Sequence, residues 1–187
     1  KKENNLKALF YAYRYASQNP SENYKIKYSD SAILVAKKIN DNSILAEAYI
    51  NKSTLLFAKK QHDVASNYLM LANKIAEKTN DDYLKYQTIY FIAQNYLYLG
   101  RLSDAKKEYE KCVNFYSANL NESKTFGKNY EMMFLYSLIS LIDTNSKLNQ
   151  FFDNKILLEK AFKYIKENSS NFYYAYFISC EGTDAYY

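Results

Sequence analysis

The sequence predicts an all-α chain built from repeated helical hairpins. Three observations lead there: self-similarity at a fixed offset, apolar residues recurring at helical spacing, and a scarcity of chain-breaking residues, with 3 Gly and 1 Pro among 187 positions. Self-similarity at a period of a few tens of residues marks a repeat array, because each unit is one supersecondary element that buries its apolar face only against its neighbours.

The offset is 40 residues. The segment AILVAKKINDNSILAEA, from Ala32 to Ala48, aligns with ANKIAEKTNDDYLKYQT, from Ala72 to Thr88, and superposes Ala32 on Ala72, Ala36 on Ala76, and Asn40-Asp41 on Asn80-Asp81. A third, decayed copy follows, with Cys112 in register with Ala72, and Tyr28, Tyr68 and Glu108 equivalent.

Within a unit, Ile44, Ala48, Ile50, Leu55 and Leu56 recur at helical spacing on one segment. Val64, Ala65, Tyr68, Leu69, Ala72, Ile75 and Ala76 do so on the next, so each unit is two amphipathic helices. The periodicity predicts helices near 5–17, 22–39, 43–59, 62–78, 82–99, 102–118, 125–143, 153–168 and 171–181. Punctuation agrees: Ser21 follows Pro20, Asp81 precedes Tyr83 and Leu84, Gly100 closes one helix, and Ser103 opens the next with Lys106 and Lys107 on its exposed face. The polar segment DTNSKLNQFFD, from Asp143 to Asp153, reads as an inserted loop in a degraded fourth unit. A single domain over 1–187 is expected, with units at about 5–41, 42–81, 82–122 and 123–168 and a partial one at 169–187.

Composition narrows the function classes. A hydrophobic content of 48%, with 18% aromatic residues, supplies a continuous core. No apolar run approaches the length of a membrane span, so membrane insertion by this segment is not expected, and residues 1–5 lack the apolar stretch of a signal peptide. The net charge of +5 comes from lysines interleaved with acidic residues, and Arg14 and Arg101 are the two arginines, a pattern that argues against a nucleic-acid stripe. Cys112 and Cys180 read as core residues rather than a disulfide pair. His62 is the single histidine and stands at an expected turn, so neither a metal site nor acid–base catalysis finds partners; no enzyme motif, cofactor or metal is expected. The Asn-x-Ser triplets at Asn51, Asn121 and Asn168 read as accidents of an Asn-rich chain. Most of the 22 tyrosines are expected in the core.

Ala93, Tyr96, Gly100, Ala105, Tyr109 and Cys112 stand at the spacing of the tetratricopeptide (TPR) signature, in which small residues let paired helices approach and an aromatic ring fills the gap. Ser53, Leu56, Lys60, Ala65, Leu69 and Ala72 are the equivalents one unit earlier, with Lys60 in place of Gly. The chain thus resembles the TPR family over about residues 6–168, and a 40-residue offset implies longer helices or turns than the family's usual unit of about 34. The segment from Ala76 to Cys112 is also similar to the sensor regions of bacterial transcriptional regulators and histidine kinases that carry such repeats.

The resemblance implies a right-handed superhelical solenoid of about four hairpins, plus an unpaired C-terminal helix that suggests a fragment of a longer protein. It implies a concave groove lined by the first helix of each hairpin, which takes a protein or peptide partner. The residues it assigns there are Lys7, Phe10 and Arg14; Glu47, Ile50 and Thr54; Gln87, Tyr90 and Gln94; and Glu131 and Phe134. The second reading is a homodimer formed through exposed terminal hairpins. Compartment stays open between cytoplasmic and, within a membrane-tethered regulator, extracytoplasmic.

Overall fold

The structure, a computed structural model, describes residues 2–18, 22–121 and 128–168. Eight helices lie among them: α1 (Lys2–Gln18), α2 (Glu22–Ile39), α3 (Asn42–Ala58), α4 (His62–Ala76), α5 (Asp82–Tyr98), α6 (Leu102–Ala118), α7 (Tyr130–Lys147) and α8 (Phe151–Asn168). The expected helix at 171–181, the cap at Ser21, the partial unit at 169–187 and Cys180 lie outside the described residues.

Side chains cap helix starts in three places, of which Asp81 is the one the sequence marks. Asp41 Oδ1 accepts from Ser43 N at 2.9 Å and Ile44 N at 3.3 Å, Asp81 Oδ1 from Leu84 N at 3.1 Å, and Asn129 Oδ1 from Met132 N at 2.9 Å. The α3–α4, α5–α6 and α7–α8 turns share one design. Each places a residue in the left-handed region: Lys60 (φ 59°), Gly100 (φ 72°) and Asn149 (φ 59°). Each closes with the paired bonds of a Schellman motif: Lys60 N to Phe57 O and Gln61 N to Leu56 O, Gly100 N to Leu97 O and Arg101 N to Tyr96 O, Asn149 N to Ser146 O and Gln150 N to Asn145 O.

Four expectations are corrected. The inserted loop between Asp143 and Asp153 does not exist: α7 runs on to Lys147, and three residues, 148–150, separate it from α8. The polar run stays helical because Thr144 and Asn145 are buried and Asn154 donates to Ile142 O at 3.2 Å and Ser146 Oγ at 2.8 Å. Tertiary burial here overrides weak helix propensity. Helix α7 begins at Tyr130, with Asn129 as its N-cap. Ser103 lies inside α6, whose N-cap is Arg101, and Lys106 is not a free surface group, since it bonds Asp153 of α8 at 2.8 Å.

The chain divides into two compact units, Lys1–Phe91 and Ile92–Tyr187, with α5 contributing to both. In the first, α1 packs on α2, α2 on α3, and α3 on α4. Its core joins Phe10, Ile33, Val35, Ile44, Tyr49, Ile50 and Leu84 with Ala32, Ala36, Ala46, Ala48, Ala72 and Ala76, whose small side chains let the helices approach. Asn51 donates to Ser17 Oγ at 2.8 Å, tying α3 to α1 from a buried position that no glycan reaches. In the second, α6 packs on α7 and α7 on α8 around Tyr109, Cys112, Tyr116, Phe134, Leu135, Leu138 and Ile142. Burial of each larger side chain contributes roughly 1.5–3 kcal/mol.

Candidate partner-binding face

The eleven expected groove residues all lie on first helices of hairpins: α1, α3, α5 and α7. They fall into two environments. Phe10, Ile50, Tyr90 and Phe134, which occupy one equivalent position per hairpin, are 0, 6, 7 and 1% exposed. Lys7 and Arg14, Glu47 and Thr54, Gln87 and Gln94, and Glu131 flank them on the same helix face and are half-buried or exposed. Each first helix therefore carries a buried apolar anchor with a polar group one turn before it, and α1, α3 and α5 carry another one turn after.

In the first unit the structure brings α1 and α3 together through Arg14 and Glu47, whose Nη1 and Oε2 stand 3.5 Å apart. Arg14 Nε is buried without a hydrogen-bond acceptor among the described residues, which leaves a guanidinium donor unspent. Lys7 pairs with Glu3 at 3.2 Å, and Thr54 Oγ1 donates to Ile50 O at 3.0 Å. Sequence reasoning missed Tyr11. Its ring meets Phe10 edge-on at 5.1 Å, and burial, then the Glu47 charge, pushes its hydroxyl pKa up, so it remains a protonated donor beside Arg14.

In the second unit Phe134 meets the Tyr164 ring at 5.4 Å, edge to face, and Lys160 Nζ stands 5.6 Å from the Phe134 centroid. Burial and then Glu131 raise the Tyr164 pKa. Tyr164 and Lys160 belong to α8, a second helix, and alignment of first helices alone has no means of finding them.

Other candidate chemistry resolves into packing. Cys112 is buried with its thiol pushed up to about 12, chiefly by burial. His62 opens α4 with its ring 5.6 Å from Phe57. Among the described residues no group of three His, Cys, Asp or Glu is placed to hold a metal ion, and no helix is long and apolar enough to cross a membrane.

No protein-family model and no curated protein sequence matches the chain. Solved structures do. A Rap protein complexed with Competence and Sporulation Factor superposes with a TM-score of 0.75 at 15% identity over 95% of this chain, which spans 47% of that protein. TPR-like repeats of a putative kinesin light chain from Podosopora anserina superpose with a TM-score of 0.67 at 14% identity, covering 97% of this chain and 89% of that one. A second structure of those repeats, a variant form, gives the same score at 15% identity over 98% of this chain. The chain has the fold of the TPR-like helical-repeat proteins.

Proposed function

We propose that the chain is a protein- or peptide-binding module whose partner docks on the first-helix face, by binding and not by covalent chemistry. The observation that carries this reading is the repeated pattern of a buried apolar anchor flanked by polar groups, with Arg14, Tyr11 and Glu47 clustered on it. Amide, hydroxyl and charged groups in that setting hydrogen-bond a peptide backbone while the anchors hold the face rigid. The Rap protein, similar in fold, is held in complex with Competence and Sporulation Factor, which supports partner binding on such a scaffold. We further propose a sensory or scaffolding role within a bacterial signalling or transcriptional regulator.

The test is selection of peptides from a displayed random library on the full chain. Selected peptides are expected to lose about tenfold or more in affinity on Arg14→Ala combined with Gln87→Ala, as for hot-spot truncation. Unchanged affinity in that variant sinks the reading. The regulator role is tested by the gene's reading frame on either side, which that role requires to encode an output domain.

A second reading is self-association, favoured by Phe152 and Ile156 on α8, one turn apart and 78% and 57% exposed. Concentration-dependent mass by sedimentation, abolished by Phe152→Glu, supports it; a concentration-independent monomer rejects it.

A further inference from the structure

A surface outside the first-helix face asks for its own partner. Helices α2 and α4, both second helices, run in the same sense because two short turns reverse the chain between them, and they flank an open groove of about 520 Å³. Its walls are Asp30, Ile33, Leu34 and Lys37 from α2 and Val64, Asn67, Tyr68 and Leu71 from α4, with the buried Tyr49 of α3 between.

Leu34, Val64 and Leu71 are 61, 47 and 45% exposed, so the apolar stripe is not core left slightly open. Contiguous apolar surface rimmed by polar groups marks an interaction site. Spacing of i, i+3, i+4 and i+7 on each wall leaves a furrow between parallel ridges, the shape that receives a third helix.

Charge along the furrow is uneven. At one end Asp30 is tied by 2.7 Å to Lys52, whose side chain is 5% exposed. At the other, Lys37 lines the groove and Lys74 follows Leu71 by one turn, both in the last turns of their helices. Neither makes an ion pair among the described residues. Lysines at helix C-termini are favoured by the macrodipole alone, but that does not account for the exposed leucines and valine beside them. Asn67 and the Tyr68 hydroxyl add donors, and burial, then Asp30, holds that hydroxyl protonated.

We propose that the α2–α4 groove is a second docking surface, which takes an acidic amphipathic helix of a protein partner. Its apolar residues seat on Leu34, Val64 and Leu71, and its carboxylates lie at the Lys37 and Lys74 end. Because this surface lies on second helices, it is separable from the proposed first-helix site and does not depend on it.

The probe is a synthetic helical peptide with Leu at i, i+3 and i+7 and Glu on the flanking positions, titrated into the full chain with methyl chemical shifts as readout. Shifts are expected at Leu34, Val64 and Leu71. Lys37→Glu with Lys74→Glu is expected to weaken binding by about tenfold or more, since like charges then face each other. Leu34→Glu, at a solvent-facing position that leaves the fold intact by circular dichroism, is expected to abolish it. The Arg14→Ala and Gln87→Ala variant is expected to bind the probe normally. Shifts confined to α1 and α3, equal binding by the charge-reversed protein, or equal binding of a peptide with Lys for each Glu would each overturn the proposal.

Discussion

At the scale of single residues, burial decides chemistry that sequence leaves open. Cys112 is neutral and enclosed, with its pKa raised by burial from 9.0 to about 12. A raised folded pKa means the unfolded thiol ionises first, so the stability this residue contributes is complete below pH 9 and drains away as pH rises toward 12. Unfolding free energy measured by urea titration across that window should fall, and Cys112→Ala should flatten the fall while costing about 1 kcal/mol in packing at neutral pH. An unchanged slope in that variant removes Cys112 from the account. Lys52 makes the complementary case. Its side chain is almost wholly buried, its ammonium pairs with the half-exposed Asp30, and it also donates to Ile26 O at 3.5 Å. Asp30→Ala strands that charge and should cost on the order of 2 kcal/mol in denaturant unfolding, below the cost of breaking a fully buried pair. A loss within experimental error would show that water already screens the ammonium.

At the scale of elements, the hairpin turns carry the clearest repeat. Lys60 and Gly100 stand 40 residues apart, close the same Schellman motif and share the same left-handed backbone, yet only one is glycine. A side chain in that conformation costs roughly 1 kcal/mol. Lys60→Gly should therefore stabilise the chain by about 0.5–1 kcal/mol, and Gly100→Ala should destabilise it by a similar amount. No atom lies within 4 Å of a Cβ built on Gly100, so the second effect is backbone strain without a clash. Thermal midpoints of the two variants should move in opposite directions, and movement in the same direction refutes the shared-turn account. These turns also explain what is legible in the sequence. Asp81 and Gly100 act through local hydrogen bonds and local dihedrals, so their roles follow from spacing alone. Asn145 and Asn154 do not, since their burial depends on how α8 meets α7, and polarity alone therefore makes a loop of the Asp143–Asp153 segment. The candidate face is legible as a set of positions because helix register is local. The burial of Phe10, Ile50, Tyr90 and Phe134, and the approach of Tyr164 to Phe134, depend on the packed neighbours.

At the scale of the whole molecule, charge distribution bears on which partners the chain takes. The net charge of +5 rests on 25 basic against 20 acidic residues, enough in principle to hold a nucleic acid if the lysines were gathered. They are not. Lys7, Lys85, Lys106, Lys111 and Lys147 each pair with a carboxylate three or four residues away on their own helix, spreading neutralised charge along α1, α5, α6 and α7. Such pairs contribute only about 0.3–0.5 kcal/mol each, and each leaves one lysine fewer for the counterion release that nucleic-acid binding requires. Titration of a fluorescent mixed-sequence duplex should therefore give a Kd no tighter than the roughly 1–100 µM of non-specific association at physiological salt, with few phosphates neutralised. A Kd in the nanomolar range with a steep fall on adding salt would show that lysines from separate helices converge after all. It would favour nucleic-acid binding over the proposed protein binding, because paired surface lysines release few counterions and cannot produce that slope.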